Sequence, residues 1–189
     1  VRLGVRVHRV DQRDADRLDR TPDGARVFGR HVDMREELRL RGQVETERSA
    51  IKFEIIHEGR IDLDTPSPED EICGVRILTR TDQVASKLLA NDDRWADTST
   101  FSRDLIDLAM MKPDTVALKA GARKAVDAYG KTVGESLTNA VTYLQDRPQR
   151  RDEFIRALKI DAPRAAVWQS IRDLSARCAK IEGLGRGSD

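Results

Sequence analysis

With 189 residues, 39% of them hydrophobic and 35% charged, the chain is long enough to bury a core and polar enough to be soluble. A net charge of +1 excludes a chain-wide field for nucleic acid, so any polyanion site must be a local patch. Aromatic content of 4% favours helix over a β-sandwich. Cys73 and Cys178 lie far apart, with no second thiol or histidine at metal spacing beside either. Neither a zinc site nor a disulfide framework follows, and a reducing cytoplasm is the simplest setting. No apolar run reaches membrane-span length and no signal region opens the chain, so no membrane association or export is expected. The first residue is Val1, which fits a fragment, a processed product or a valine-coded start read literally.

Residues 1 to 35 are crowded with Arg and Asp, and only "VRLGVRVHRV" shows the period-2 alternation of a strand. Thr21-Pro22-Asp23-Gly24 is turn chemistry. From 36 to 63, "ELRLRGQVE" and "IKFEIIHEGRIDL" alternate around a polar turn near Arg48 and Ser49, which predicts a β-hairpin with Ile51, Phe53 and Ile55 on one face. "DTPSPEDEICG" reads as a loop and "VRIL" as a short strand.

From Thr81 onward no clear strand remains. Thr81 can cap a helix over "DQVASKLLAN", and "RDLIDLAMM" forms a second helix stopped by Pro113. A third runs from Pro113 or Asp114 to Gly130, and further helices are expected at 132–146, 149–158 and 163–181, with a frayed tail at 183–189. The expected architecture is α+β: a small mixed or antiparallel sheet within 1–80, then a helical bundle at 81–182.

Several residues could carry chemistry. On a helix, Val84, Lys87, Leu88 and Asn91 share one stripe, so Lys87 borders the buried face. Its ammonium could meet a phosphate, or its stem could pack on apolar neighbours while the charge reaches water. Asp104 and Asp107 share a face of the next helix and could hold a cation or accept a proton. Alternatively, Asp104 answers the helix dipole and Arg103 pairs with Asp107 at i,i+4. Glu54 stands in mid-strand between Phe53 and Ile55, as metal-binding carboxylates can, although a solvent-facing strand residue is the more common outcome. Asp62 and Asp64 form an Asp-x-Asp pair that runs into a proline-rich loop and reads as structural. His57 has no partner at ligand spacing and reads as a surface strand residue.

The runs "IKFEIIHEGRIDL" and "ICGVRILTRTDQVASKLLANDDRWADTSTFSRDLIDLAMM" resemble the nucleotidyltransferase-like AbiEii/AbiGii toxin family, the toxin side of bacterial toxin-antitoxin and abortive-infection systems. The resemblance covers about residues 36 to 181, and its most specific features are Lys-Leu-Leu-Ala and Arg-Asp-x-x-Asp-Leu. It implies a partial polymerase-β-like core and transfer of a nucleotide from a nucleoside triphosphate to an acceptor such as RNA. It also implies magnesium as cofactor and an antitoxin as partner. Lys87, with Arg103, would contact substrate, Asp104 and Asp107 would assist acceptor activation, and Glu54 would be a catalytic, metal-binding strand carboxylate. These residues would line a nucleotide cleft between sheet and bundle.

The family also carries an upstream glycine-rich turn and an Asp-x-Asp strand. Gly4 and Asp14-Ala15-Asp16 repeat that order, yet Val5 replaces a small residue and Arg13 and Arg17 flank the acids, so this element is expected to be missing. The competing expectation is a non-catalytic remnant or binding module that binds an antitoxin or RNA.

Overall fold

The structure is a computed structural model that describes residues 39–45, 50–56 and 61–185. The chain divides into two units, Val1–Gly59 and Arg60–Asp189. The strand expected at the N-terminus, Gly4, Asp14, Asp16, the turn at Arg48 and Ser49, and His57 lie outside the described residues.

In the first unit, β1 (Arg39–Glu45) pairs antiparallel with β2 (Ala50–Ile56). The register sets Leu40 opposite Ile55, Gly42 opposite Phe53 and Val44 opposite Ile51, so the alternating apolar positions of the two strands coincide. Glu54 lies mid-β2, opposite Arg41.

The second unit opens with a miniature hairpin, β3 (Glu71–Ile72) against β4 (Val75–Arg76), so the strand expected over "VRIL" is only its first half. Its two-residue turn, Cys73-Gly74, has φ of 53° and 80°, the paired positive values that match the twist of a tight hairpin. Helix α1 (Arg80–Arg94) is capped by Thr79 instead of Thr81: the Thr79 hydroxyl oxygen accepts from the Asp82 backbone N–H at 3.2 Å. Asp82, three residues on, completes a box-like cap through its own carboxylate, and the helix starts two residues earlier than expected.

Helix α2 (Arg103–Met111) ends at left-handed Lys112, followed by Pro113. Asp114 caps α3 (Thr115–Tyr129) by accepting from Ala117 N–H at 2.8 Å, and Gly130 at φ 75° closes it. Then follow α4 (Thr132–Asp146), α5 (Pro148–Ala157), with Pro148 in the first turn, and α6 (Arg164–Cys178). A short hairpin, six α-helices and a 3-10 turn at Thr98–Thr100 thus make up this unit's described elements, and with β1 and β2 they give the expected α+β chain.

Helix α1 is the centre of the bundle, packing against α3, α2 and α4, while α6 packs on α2. Leu88, Leu105, Ile106, Leu108, Leu144, Phe154 and Ile171 are among its fully buried side chains. Burial of this apolar set is the main stabilising term.

The segment before α1 belongs to the bundle because Ile61 is buried and the Asp64 backbone N–H donates to the Asp82 carboxylate at 2.8 Å. At the other end, where fraying was expected from Gly183, Leu184 is buried. Gly134 of α4 makes room for it: a Cβ there would sit 2.9 Å from the Leu184 Cα. Among the described residues no helix is long and apolar enough to cross a membrane.

Candidate functional site

Lys87 of α1 reaches across to α2. Its ammonium donates to Asp107 Oδ2 at 2.6 Å and to Asp104 Oδ1 at 3.2 Å. Two turns along α1, the Arg94 side chain donates through Nε to the other Asp104 oxygen, Oδ2, at 2.7 Å. Residues 87 and 94 are seven apart, so an α-helix returns them to one face. The four groups make a short ladder in which Asp107 holds one cation and Asp104 holds two.

Burial is graded along this ladder. Asp104 is 4% exposed, Lys87 31%, Asp107 41% and Arg94 48%. Arg103 is exposed and makes no ion pair among the described residues. On α2 the direction turns by about 40° from residue 103 to residue 107 and by a further 60° or so to residue 104. That rotation carries the face from solvent to α1. Asp107 accordingly pairs with Lys87 and not with Arg103, although the i,i+4 spacing permits the latter. The lysine does not simply extend its charge into water, which was the bland alternative for an apolar stripe.

The electrostatics follow the contacts. Burial pushes the Asp104 carboxyl up, but the Arg94 hydrogen bond and the charges of Lys87 and Arg94 outweigh it and leave the group below the usual carboxylate range. Arg94 is correspondingly raised, first by its bond to Asp104. Both groups are held ionised. Between Lys87 and Arg94 on the same stripe, Asn91 is 3% exposed and its Nδ2 has no hydrogen-bond partner. A buried donor without an acceptor costs about 1–3 kcal/mol, which a bound acceptor would offset.

A second cluster is structural. Asp82 is fully buried and accepts from Lys124 Nζ at 2.6 Å, from Asp64 N at 2.8 Å and from the Thr79 hydroxyl at 3.0 Å. Lys124 also pairs with Asp64 at 3.0 Å. Burial would lower the lysine, but its bonds to Asp82 and Asp64 prevail and raise it. Asp64 therefore works as the structural residue it was read to be, and Asp62 is exposed.

Sequence reasoning missed Arg94, Asp82 and Lys124. For Asp82 the Thr79-x-x-Asp82 spacing was an available signal; Arg94 could have been found by extending the Lys87 stripe one more turn. Lys124 had no signal, because its partners come from distant segments.

Among the described residues no group of three acidic, histidine or cysteine side chains gathers as a metal site. Asp104 and Asp107 are each engaged by side-chain cations, so this arrangement does not fit magnesium. A groove of about 590 Å³ lies between the end of α2 and α6, lined by Met110, Pro113, Ala166 and Ser170, and contains none of the ladder residues.

Lys87 of the Lys-Leu-Leu-Ala element and Asp104 and Asp107 of the Arg-Asp-x-x-Asp-Leu element thus meet at one ammonium. The family model for the nucleotidyl transferase AbiEii toxin of type IV toxin-antitoxin systems matches residues 4–177, and the chain belongs to that family. The match begins well upstream of residue 36, where the sequence resemblance was read to start. No curated protein and no solved structure matches the chain.

Proposed function

We propose that the protein transfers a nucleotide from a nucleoside triphosphate to an acceptor such as RNA, as the toxin half of a pair with a cognate antitoxin. The convergence of Lys87 on Asp104 and Asp107 is the observation that carries this reading. Residues 17 and 20 positions apart in sequence, all from the family's specific elements, meet at one ammonium. In this reading Lys87 is the phosphate contact, a compact point charge on a long stem. Asp107, the more exposed acid, takes the proton of the acceptor hydroxyl. The acceptor oxygen bonds to the α-phosphorus, the bond from that phosphorus to the bridging oxygen breaks, and pyrophosphate leaves. Arg103, exposed at the start of α2, is proposed as a further substrate contact, and Glu54 as the family's strand carboxylate.

Titration calorimetry with ATP, GTP, CTP and UTP, with and without magnesium, tests the reading. Binding to the wild-type chain, weakened at least about tenfold by Lys87→Ala, is expected, which corresponds to ~1.4 kcal/mol. A folded protein that binds none of the four would favour a non-catalytic module that binds an antitoxin or RNA.

A further inference from the structure

We propose that Arg94 is a positioning residue that keeps Asp104 charge-compensated when substrate phosphates draw Lys87 away, so that Asp107 is the carboxylate set free. The inference rests on the nucleotide-transfer reading and adds to it a residue outside both sequence elements.

Lys87 bridges two carboxylates, and a phosphate that recruits its ammonium competes with both. Asp107 is 41% exposed, so water can replace the lysine there at small cost. Asp104 is 4% exposed, and stripping its cations would leave a buried, uncompensated charge. Arg94 removes that obstacle by holding the opposite oxygen, Oδ2, at 2.7 Å, leaving Oδ1 for the lysine. Its Nη groups make no hydrogen bond among the described residues, and Asp93 and Asp97 add their charges nearby. A guanidinium is permanently charged, so the hold persists across the working pH range. Lys87 becomes the exchangeable cation, Arg94 the fixed one, and Asp107 the group whose ion pair dissolves as substrate arrives.

The test uses the full 189-residue chain and its R94Q, R94K, K87A and K87A/R94Q variants. Carbon-13 NMR titration of the Asp104 and Asp107 carboxyls in the free proteins imitates departure of Lys87 without any nucleotide. In K87A, Asp104 should still titrate below the ordinary value of 3.8, and in K87A/R94Q it should move above it. An Asp104 that titrates at or above 3.8 in K87A overturns the proposal, whether or not any triphosphate binds. Calorimetry with the four triphosphates supplies the second arm. R94Q should weaken binding about tenfold and R94K should restore most of it, since a lysine keeps the charge beside Asp104. Wild-type affinity in R94Q alongside a loss in K87A would sink the role of Arg94 and leave the transfer reading standing. No binding by the wild type would sink the transfer reading, while the carboxyl titrations would still decide whether Arg94 holds Asp104.

Discussion

Gly121 offers a test in which two physical effects predict opposite signs. It lies inside α3, where helix propensity alone would make alanine better by about 1 kcal/mol. The structure opposes this. A Cβ at Gly121 would stand 2.7 Å from the Thr81 carbonyl oxygen and from two Val84 carbons, where ordinary contact begins at 3.4 Å. The shortfall is about 0.7 Å, and none of the three atoms can swing aside. The oxygen is backbone, and Val84 is β-branched and fully buried. Helices α1 and α3 must therefore separate, and overpacking of this kind costs about 1–3 kcal/mol. Because two backbones move, the upper part of that range applies, and Gly121→Ala should lose about 1–2 kcal/mol net. For a chain of this size that is a fall in Tm of about 3–6 °C, read by circular dichroism or calorimetry. A Tm equal to or above wild type would refute the claim that close approach of α1 and α3 demands glycine.

Two further changes probe the buried charges. Lys124→Met removes the cation from fully buried Asp82, and breaking such a pair costs about 3–5 kcal/mol. Urea denaturation should show a loss near the lower figure, because Asp64 N–H and the Thr79 hydroxyl still serve the carboxylate; a loss under about 1 kcal/mol would mean that the pair is not needed. Asp104→Asn tests the depressed carboxyl through pH. A group whose folded value lies below its unfolded 3.8 adds stability that is complete above 3.8 and lost as pH falls through the lower folded value. The stability gap between wild type and variant should be full at neutral pH and shrink below about pH 3.8; a gap that stays constant to pH 2.5 or so would place its cause elsewhere.

Local signals made most of the helical order legible. Pro113, Asp114 and Gly130 mark ends that depend only on backbone chemistry within a few residues, and α2 and α4 run over the ranges that spacing predicts. The hairpin of β1 and β2 was equally readable, because period-2 alternation on both sides of a polar turn sets its register. Errors arose where a neighbour in space outweighed a neighbour in sequence. Thr81 has cap chemistry, but the Asp82 carboxylate is held by Lys124 and the Asp64 N–H, and the helix is capped by Thr79. The tail from Gly183 looks polar and flexible, yet Leu184 finds a slot that exists because Gly134 lacks a side chain.

By itself the sequence determined which residue types stand at helical spacing in α1 and α2, and their likeness to the AbiEii family determined which of them to watch. It left open whether Lys87 reaches water or a partner and whether Arg103 or another cation holds Asp107, because spacing along one helix says nothing about what a second helix brings near. Tertiary structure decided both. Packing α2 against α1 turns Asp104 inward, where it meets two cations, and leaves Asp107 half exposed with one.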